Sequence, residues 1–333
     1  MNDNIPHRQS LLKQKQLKIS FVVPVLNEGE NISSFIEQAH AFALKYTSSI
    51  EIIIIDDGSD DDTFSQLRSL SNQYPIKALQ FSRNFGKEKA IAAGLQQVSG
   101  DICVIIDADF QHPFTTIHDF LKKWAEGFDV VYGKRNNRND ETWLKRTFTH
   151  WFYKALNLSS KINIPSDAGD FRLLDRCAVD ALNRCHEGTR FMKGLYAWVG
   201  YKQTAVGFDV QKRQAGVSRW RLRKLTELAL TGLISFSDVP LRAWGLIGLS
   251  IAGISFLIAI YIIFRTLIDG ITTPGYTTIM VTIIFFGGIQ LLSIGILGEY
   301  IARIFHEVKK RPPYIIAKTI NSTNENTNDT PLD

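Results

Sequence analysis

Three acidic clusters carry the residues best suited to chemistry: Asn27-Glu28, Asp56-Asp57-Gly58-Ser59-Asp60 and Asp107-Ala108-Asp109-Phe110-Gln111. Each follows a short run rich in Ile and Val, so each falls at a strand end. Carboxylates gathered at one edge repel one another unless cations, hydrogen-bond donors or a metal compensate them. The spacing of Asp107 and Asp109 fits a hard divalent cation, because residues two apart in an extended segment point the same way. Such an ion takes one or two carboxylates and fills its shell with water and phosphate oxygens. The competing reading is a turn or cap, a common use of Asp-x-Asp at strand ends. The preceding Ile-Cys-Val-Ile-Ile run and the nearby Asp56-Asp57 pair favour the metal.

The elements that must position these residues alternate. Strands are expected at Lys18 to Val25, Glu51 to Ile55, Ile76 to Phe81, Ile102 to Ile106 and Asp129 to Tyr132. Helical patterns fall between them at Asn31 to Tyr46, Asp62 to Gln73 and Lys87 to Val98. Several strands are continuously apolar, as expected of strands covered on both faces. The alternation predicts an α/β domain with a mainly parallel, Rossmann-like sheet, whose ligands bind at the carboxyl ends of the strands. A P-loop is disfavoured, since Gly86-Lys87 is followed by Glu88 and no glycine lies five residues before Gly86. The first strand leads into Pro-Val-Leu-Asn-Glu-Gly-Glu-Asn, not the Gly-rich turn of a dinucleotide site.

Net charge is a modest +5, which does not point to nucleic acid. The basic residues cluster, however, and no acidic residue interrupts the run from Lys212 to Lys224. Uncharged stretches follow, from Ala243 to Phe264 and from Ile271 to Gly298. About 20 apolar residues suffice to cross a bilayer as a helix, so both stretches qualify. Basic residues flank the outer ends (Arg242 before, Arg303, Lys309, Lys310 and Arg311 after) and the connection carries only Arg265 and Asp269. The positive-inside rule then sets both ends in the cytoplasm. Three cysteines without CxxC spacing suit a reducing compartment. Leu144 to Leu158 and Trp220 to Phe236 read as amphipathic helices lying in a headgroup layer, with a core-facing helix as the alternative for the first. The expected organisation is a mobile tail over 1–16, a catalytic domain over 17–218 and an interfacial helix at 144–158. A basic juxtamembrane helix over 219–242, spans at 243–265 and 277–299 and a cytoplasmic tail over 300–333 complete it.

The segments PVLNEGEN, IIDDGSDDDT, FSRNFGKEKAIAAGL and IDADFQHP resemble, in order and spacing, the family 2 glycosyltransferases of the GT-A fold. DAGDFRLLDR, RFMKGLYAWVG, the Arg213 to Trp220 stretch and GGIQLLSIGILGEYIARI are similar to its polyprenyl-phosphate branch, the bactoprenol glucosyltransferases and dolichyl-phosphate mannose synthases. The resemblance runs from about residue 17 to about residue 318. It implies an inverting transferase that moves a hexose, glucose first, from a UDP-sugar to undecaprenyl phosphate at the bacterial inner membrane. Mannose, GlcNAc and aminoarabinose are the alternative sugars. The cofactor implied is Mg2+ or Mn2+, and relatives imply a homo-oligomer.

Carried over residue by residue, Pro24, Asn27 and Glu28 line the nucleotide pocket and Asp57 contacts the base. Asp107 and Asp109 hold the metal with Gln111 in support, and Asp109 serves catalysis at the leaving group. Lys87 contacts the diphosphate or is an exposed lysine at a helix start. Asp170 serves the acceptor side as a base, as an orienter of basic residues, or as a structural turn. Arg135, Arg213 and Arg219 are the candidates to hold the acceptor phosphate, with attraction of the basic run to anionic headgroups as the alternative. A non-catalytic scaffold would be expected to lose Asp57, Asp107 or Asp109, and a processive synthase would carry QxxRW; neither pattern is met.

Overall fold

The computed structural model describes residues 5–136, 168–185, 187, 191–209, 275–309 and 311–321, with single positions at 250, 257, 264 and 268. The chain divides into two compact units, Met1–Gly232 with Pro312–Asp333, and Leu233–Arg311.

The first unit is built on β1 (Ile19–Val25), β2 (Ile50–Asp56), β3 (Ile76–Phe81), β4 (Ile102–Ile105), β5 (Val130–Arg135), β6 (Ala168–Asp175), β7 (Gln203–Phe208) and β8 (Ile316–Asn321). They form one sheet in the order β7-β5-β6-β4-β1-β2-β3-β8. β1 pairs in parallel with β2 and β4, and β2 with β3; β6 and β8 run antiparallel to their neighbours. This is the mixed, mainly parallel α/β sheet that the alternating pattern predicts. The Ile and Val runs are the reason: strands β1, β2 and β4 are buried almost throughout, so no face needed polar residues.

Helices cover both faces: α1 (Ile5–Lys13), α2 (Gly29–Ala43), α3 (Thr63–Leu70), α4 (Lys87–Gln97), α5 (Phe114–Ala125), α6 (Arg176–Asn183) and α7 (Met192–Trp198). Phe35, Phe42, Phe110, Ile117, Phe120 and Trp124 pack with the inward residues of β1, β4 and β6 in one core. On the other face α4 lies so close to the sheet that a Cβ on Gly94 would strike Val22 Cγ1.

Two expectations for the termini are corrected. Residues 1–16 are not a mobile tail throughout, because α1 is fastened by a buried guanidinium. Arg8 donates to the carbonyls of Trp124 and Phe128 and pairs with Asp129 at 2.6 Å and Asp175 at 3.0 Å. Residues 300–333 are not a tail throughout either, since β8 pairs with β3 from Lys77↔Asn321 to Phe81↔Ile316.

In the second unit, α8 (Tyr276–Val308) runs for 33 residues and contains the second expected span, 277–299. The first, 243–265, lies outside the described residues except at Ser250, Leu257 and Phe264, which are helical. Among the described residues, no helix is long and apolar enough to cross a membrane. The stretches 144–158 and 219–242 also lie outside the described residues.

Candidate active site

Register decides which side chains meet at the carboxyl edge. Val25 and Asp56 are paired, so the loops after β1 and β2 leave the sheet at one level. Ile105 pairs with Arg172 in the antiparallel β4–β6 ladder, and continuing that register by two residues sets Asp107 level with Asp170.

The first two loops are laced to each other. Asn27 takes a left-handed backbone at φ 55, a conformation that Asn tolerates. Its amide donates to Ser59 Oγ at 2.9 Å and its Oδ1 accepts from Asp60 N at 2.9 Å. Glu28 donates its amide to Thr63 Oγ1 and accepts from Asn31 Nδ2 at 2.8 Å. Pro24 is half-buried and lies beyond Val22↔Ile105, the last pair with β4, where a ladder has no use for the N–H that proline lacks.

Asp56 and Asp57 divide their work. Asp56 is wholly buried and accepts from Ser59 N at 2.8 Å and Gln80 Nε2 at 2.9 Å. Asp57 turns to the loop after β3, accepting from Phe85 N at 2.7 Å and Gly86 N at 2.9 Å. Burial raises its carboxyl above the ordinary aspartate range, against the pull of those two amides. Between the loops, Gly58 has φ 75, and a Cβ there would stand 2.5 Å from the Arg83 carbonyl carbon. Asp57 is thus the anchor of the 82–86 loop, a role that its position at a strand end alone does not reveal.

That loop delivers Lys87 to the centre. Its ammonium lies 2.7 Å from Asp107 and 3.3 Å from Asp170 Oδ2, joining the two carboxylates across β4 and β6. Burial disfavours the ammonium, but Asp107 and Asp170 outweigh it and raise its pKa above that of ordinary lysine. Burial works against ionisation of Asp170 too, yet Lys87, Lys193 and Arg172 hold its carboxyl at about 2. Asp170 Oδ1 is buried with no hydrogen-bond partner among the described residues. Asp109 accepts from Gln111 N at 3.1 Å across Phe110, whose φ is 58, so Asp107, Asp109 and Gln111 belong to one tight turn.

The sequence motifs and this arrangement meet in the comparisons. The Glycosyl transferase family 2 model matches residues 20–182. The SfII prophage-derived bactoprenol glucosyl transferase of Shigella flexneri is 44% identical over 304 residues, covering 91% of this chain and 98% of that protein. An uncharacterized glycosyltransferase of Synechocystis sp. is 42% identical over 302 residues, covering 90% and 95%. The chain belongs to the family 2 glycosyltransferases. Among solved structures, Mycobacterium tuberculosis glucosyl-3-phosphoglycerate synthase with Mn2+, UDP and phosphoglyceric acid aligns at TM-score 0.48 and 18% identity. That alignment covers 68% of this chain and 81% of that one.

In this transferase the donor set around Asp107 fits a divalent cation. The carboxylate already holds a cation, the Lys87 ammonium, at 2.7 Å, and Asp109 stands two residues on in the same turn. A second acidic group, Asp129, Asp175 and Cys177, also clusters tightly among the described residues. It sits at the opposite edge of the sheet, where Asp175 pairs with Ile102, and the Arg8 guanidinium pairs with both its carboxylates. That group is a structural ion-pair site.

Arg135 ends β5, exposed, in register with Phe208 of β7. Arg213 and Arg219 lie outside the described residues. Sequence reasoning did not find the buried group behind Asp170. The Arg172 guanidinium lies 3.5 Å over the Tyr196 ring and donates to Gly169 O at 2.5 Å. Glu88 accepts from Met192 N at 2.9 Å, and burial, with Asp170 adding, pushes its carboxyl up to about 7. A usable signal was present for Arg172: two residues from Asp170 in a strand, it shares that face.

Proposed function

We propose that this transferase moves a hexose, glucose first, from a UDP-sugar to undecaprenyl phosphate, with inversion, on the cytoplasmic face of the bacterial inner membrane. The observation that carries the reading is Lys87, whose ammonium joins Asp107 on the leaving-group side to Asp170 on the acceptor side. Relatives named bactoprenol glucosyl transferase, similar over nine-tenths of the chain, support the lipid acceptor and the sugar.

In the reaction a lipid phosphate oxygen forms a bond to the sugar C1 while the C1–O bond to the diphosphate breaks, its electron pair leaving with UDP. A divalent ion held by Asp107 and Asp109, with Gln111 in support, would neutralise the diphosphate as charge develops there. Lys87 stands beside that position and stabilises the same charge. Pro24, Asn27 and Glu28 line the nucleotide pocket. Asp57, through Phe85 and Gly86, holds the loop that carries Lys87. The attacking oxygen is already anionic, so the acceptor side needs positioning more than a strong base. Asp170 orients that side, and Arg135, Arg213 and Arg219 hold the phosphate.

Several observations support a membrane hairpin with spans at 243–265 and 277–299. The sequence within α8 is uncharged from Tyr276 to Gly298. Ile279, Ile283, Ile294 and Leu297 on it are exposed, which suits a lipid environment. Basic residues flank both ends of the apolar region.

The deciding experiment supplies purified full-length protein with undecaprenyl phosphate and a panel of labelled nucleotide-sugars, with and without a chelator. A chelator-sensitive lipid-linked hexose, abolished in Asp107→Asn and Asp109→Asn, is the expected result. No lipid-linked product across the panel would overturn the reading.

A further inference from the structure

The chain leaves the first unit at Gly232 and re-enters it at Pro312, so Tyr314 is among the first residues of the return. It touches the two elements that flank the loop before Lys87, the end of β3 and the helix α4. The Tyr314 ring stacks on Phe81 at 4.8 Å with an interplanar angle of 16°. Its hydroxyl donates to Gln96 Oε1 on α4 at 2.6 Å. The next residue, Ile315, accepts from Ser82 N at 2.9 Å. Phe81 in turn meets Phe85 edge to face at 5.7 Å.

The segment Ser82–Gly86 is therefore held from two sides. Asp57 fixes its far end through the amides of Phe85 and Gly86. Tyr314 and Ile315 fix its near end through Phe81 and Ser82, and tie it to α4 behind. Lys87 is the first residue of α4 and immediately follows Gly86, whose φ of 101 leaves the turn dependent on its anchors rather than on local helix geometry. An ammonium that must bridge carboxylates on two other strands tolerates little displacement, since a misplacement of about 1 Å is enough to cost much of a positioning effect.

We infer that Tyr314 is a positioning residue for donor binding: its ring and hydroxyl set the 82–86 loop and, through it, Lys87. The residues that follow the apolar unit thus complete the donor side of the catalytic domain. A strand needed only to cover the β3 edge would be served by the ladder from Lys77↔Asn321 to Phe81↔Ile316 alone. Tyr314 lies beyond that ladder, and its partners are Phe81, at the mouth of the loop, and Gln96, on the helix that carries Lys87.

The test compares Tyr314→Ala with Tyr314→Phe and with Ile320→Ala, a buried residue of β8 paired with Ala78, away from the loop. Amide exchange is read at Ser82, Phe85 and Gly86, and binding of UDP with Mn2+ by calorimetry. Tyr314→Ala is expected to speed exchange at all three amides. It should weaken UDP–Mn2+ binding by about threefold to tenfold, the equivalent of one aromatic contact. Tyr314→Phe, which keeps the stack, restores most of both, while Ile320→Ala lowers the melting temperature without either effect. The inference fails if Tyr314→Ala leaves the loop amides protected, or if Ile320→Ala reproduces its effects. The binding arm rests on the donor-site reading above; the exchange arm does not, so loss of UDP binding in the unmodified protein would overturn that reading while exchange still judged Tyr314.

Discussion

Replacing Lys87 by Met separates a structural from a catalytic role for the ammonium, because the two have different sizes. The side chain is 43% exposed and pairs with carboxylates that are 26% and 20% exposed, so each contact is screened by water. Pairs of this kind contribute about 0–1 kcal/mol each, and losing both lowers stability by roughly 1–2 kcal/mol at most. The same ammonium, acting on charge that develops in the transition state, is worth about 10²–10³ in rate. The expected outcome is a melting temperature lowered by a few degrees and a turnover number lowered by about two to three orders of magnitude. Lys87→Arg, which keeps the charge with a different shape, should fall between. A second measurement reads the metal without the reaction: Mn2+ binding followed by electron paramagnetic resonance in the absence of nucleotide. Met removes the cation that shares Asp107, so Mn2+ should bind at least as tightly as in the unmodified protein. The variant also releases Asp170, whose carboxyl is held at about 2 against an ordinary 3.8. A depressed carboxyl stabilises the fold above its unfolded pKa and loses that contribution as the pH falls through the folded value. The acid limb of the stability profile should therefore flatten in Lys87→Met. A variant that kept turnover within about threefold with native stability would refute the bridging role, since even one lost transition-state donor costs far more.

Two further expectations concern buried charge. Arg8→Met leaves Asp129 and Asp175 without their cation, and breaking one partner of a buried pair costs about 3–5 kcal/mol. Thermal unfolding should show that loss, limited proteolysis should cut near Lys13 and Lys15 as α1 detaches, and adding Asp129→Asn with Asp175→Asn should recover part of it. Glu88 is raised from 4.5 to about 7, so between those values the native state keeps a proton that the unfolded chain has released. Stability then falls as pH rises through that window. Glu88→Gln, which can still accept from Met192 N, should abolish the slope in denaturant midpoints measured across it.

How much of this was legible in the sequence follows from what each element is made of. Strands β1 to β5 lie within a few residues of the expected limits, because continuous Ile and Val runs leave hydropathy little ambiguity. β6 lies beyond the alternating first 135 residues, and its Asp170 and Arg172 interrupt the Ile and Val pattern that marks the earlier strands. Arg172 is in fact buried under Tyr196 and carries its charge inward. α1 carries a weak apolar signal, a few residues such as Leu11 and Leu12 against the core, and its buried guanidinium is invisible to hydropathy. At the site, the sequence supplied Asp107, Asp109, Asp170 and Lys87 separately. Their junction depends on β6 lying beside β4 in antiparallel register, a long-range fact that no local pattern encodes. The two amide partners of Asp57 appear only once the loop after β3 is folded over it.

The position of β8 also bears on how the protein is made. Tyr314 and Gln96 touch although they lie 218 positions apart in the sequence. On the ribosome, β3 emerges early and its outer edge has no strand beside it until residues 316–321 have been synthesised. An open strand edge is a template for mispairing with other chains. The whole apolar stretch must therefore be translated while the nascent sheet still lacks its last strand. Maturation of the catalytic domain is thereby tied to completion of the segment that follows it, and a nascent chain arrested in that segment would present β3 to chaperones or to aggregation.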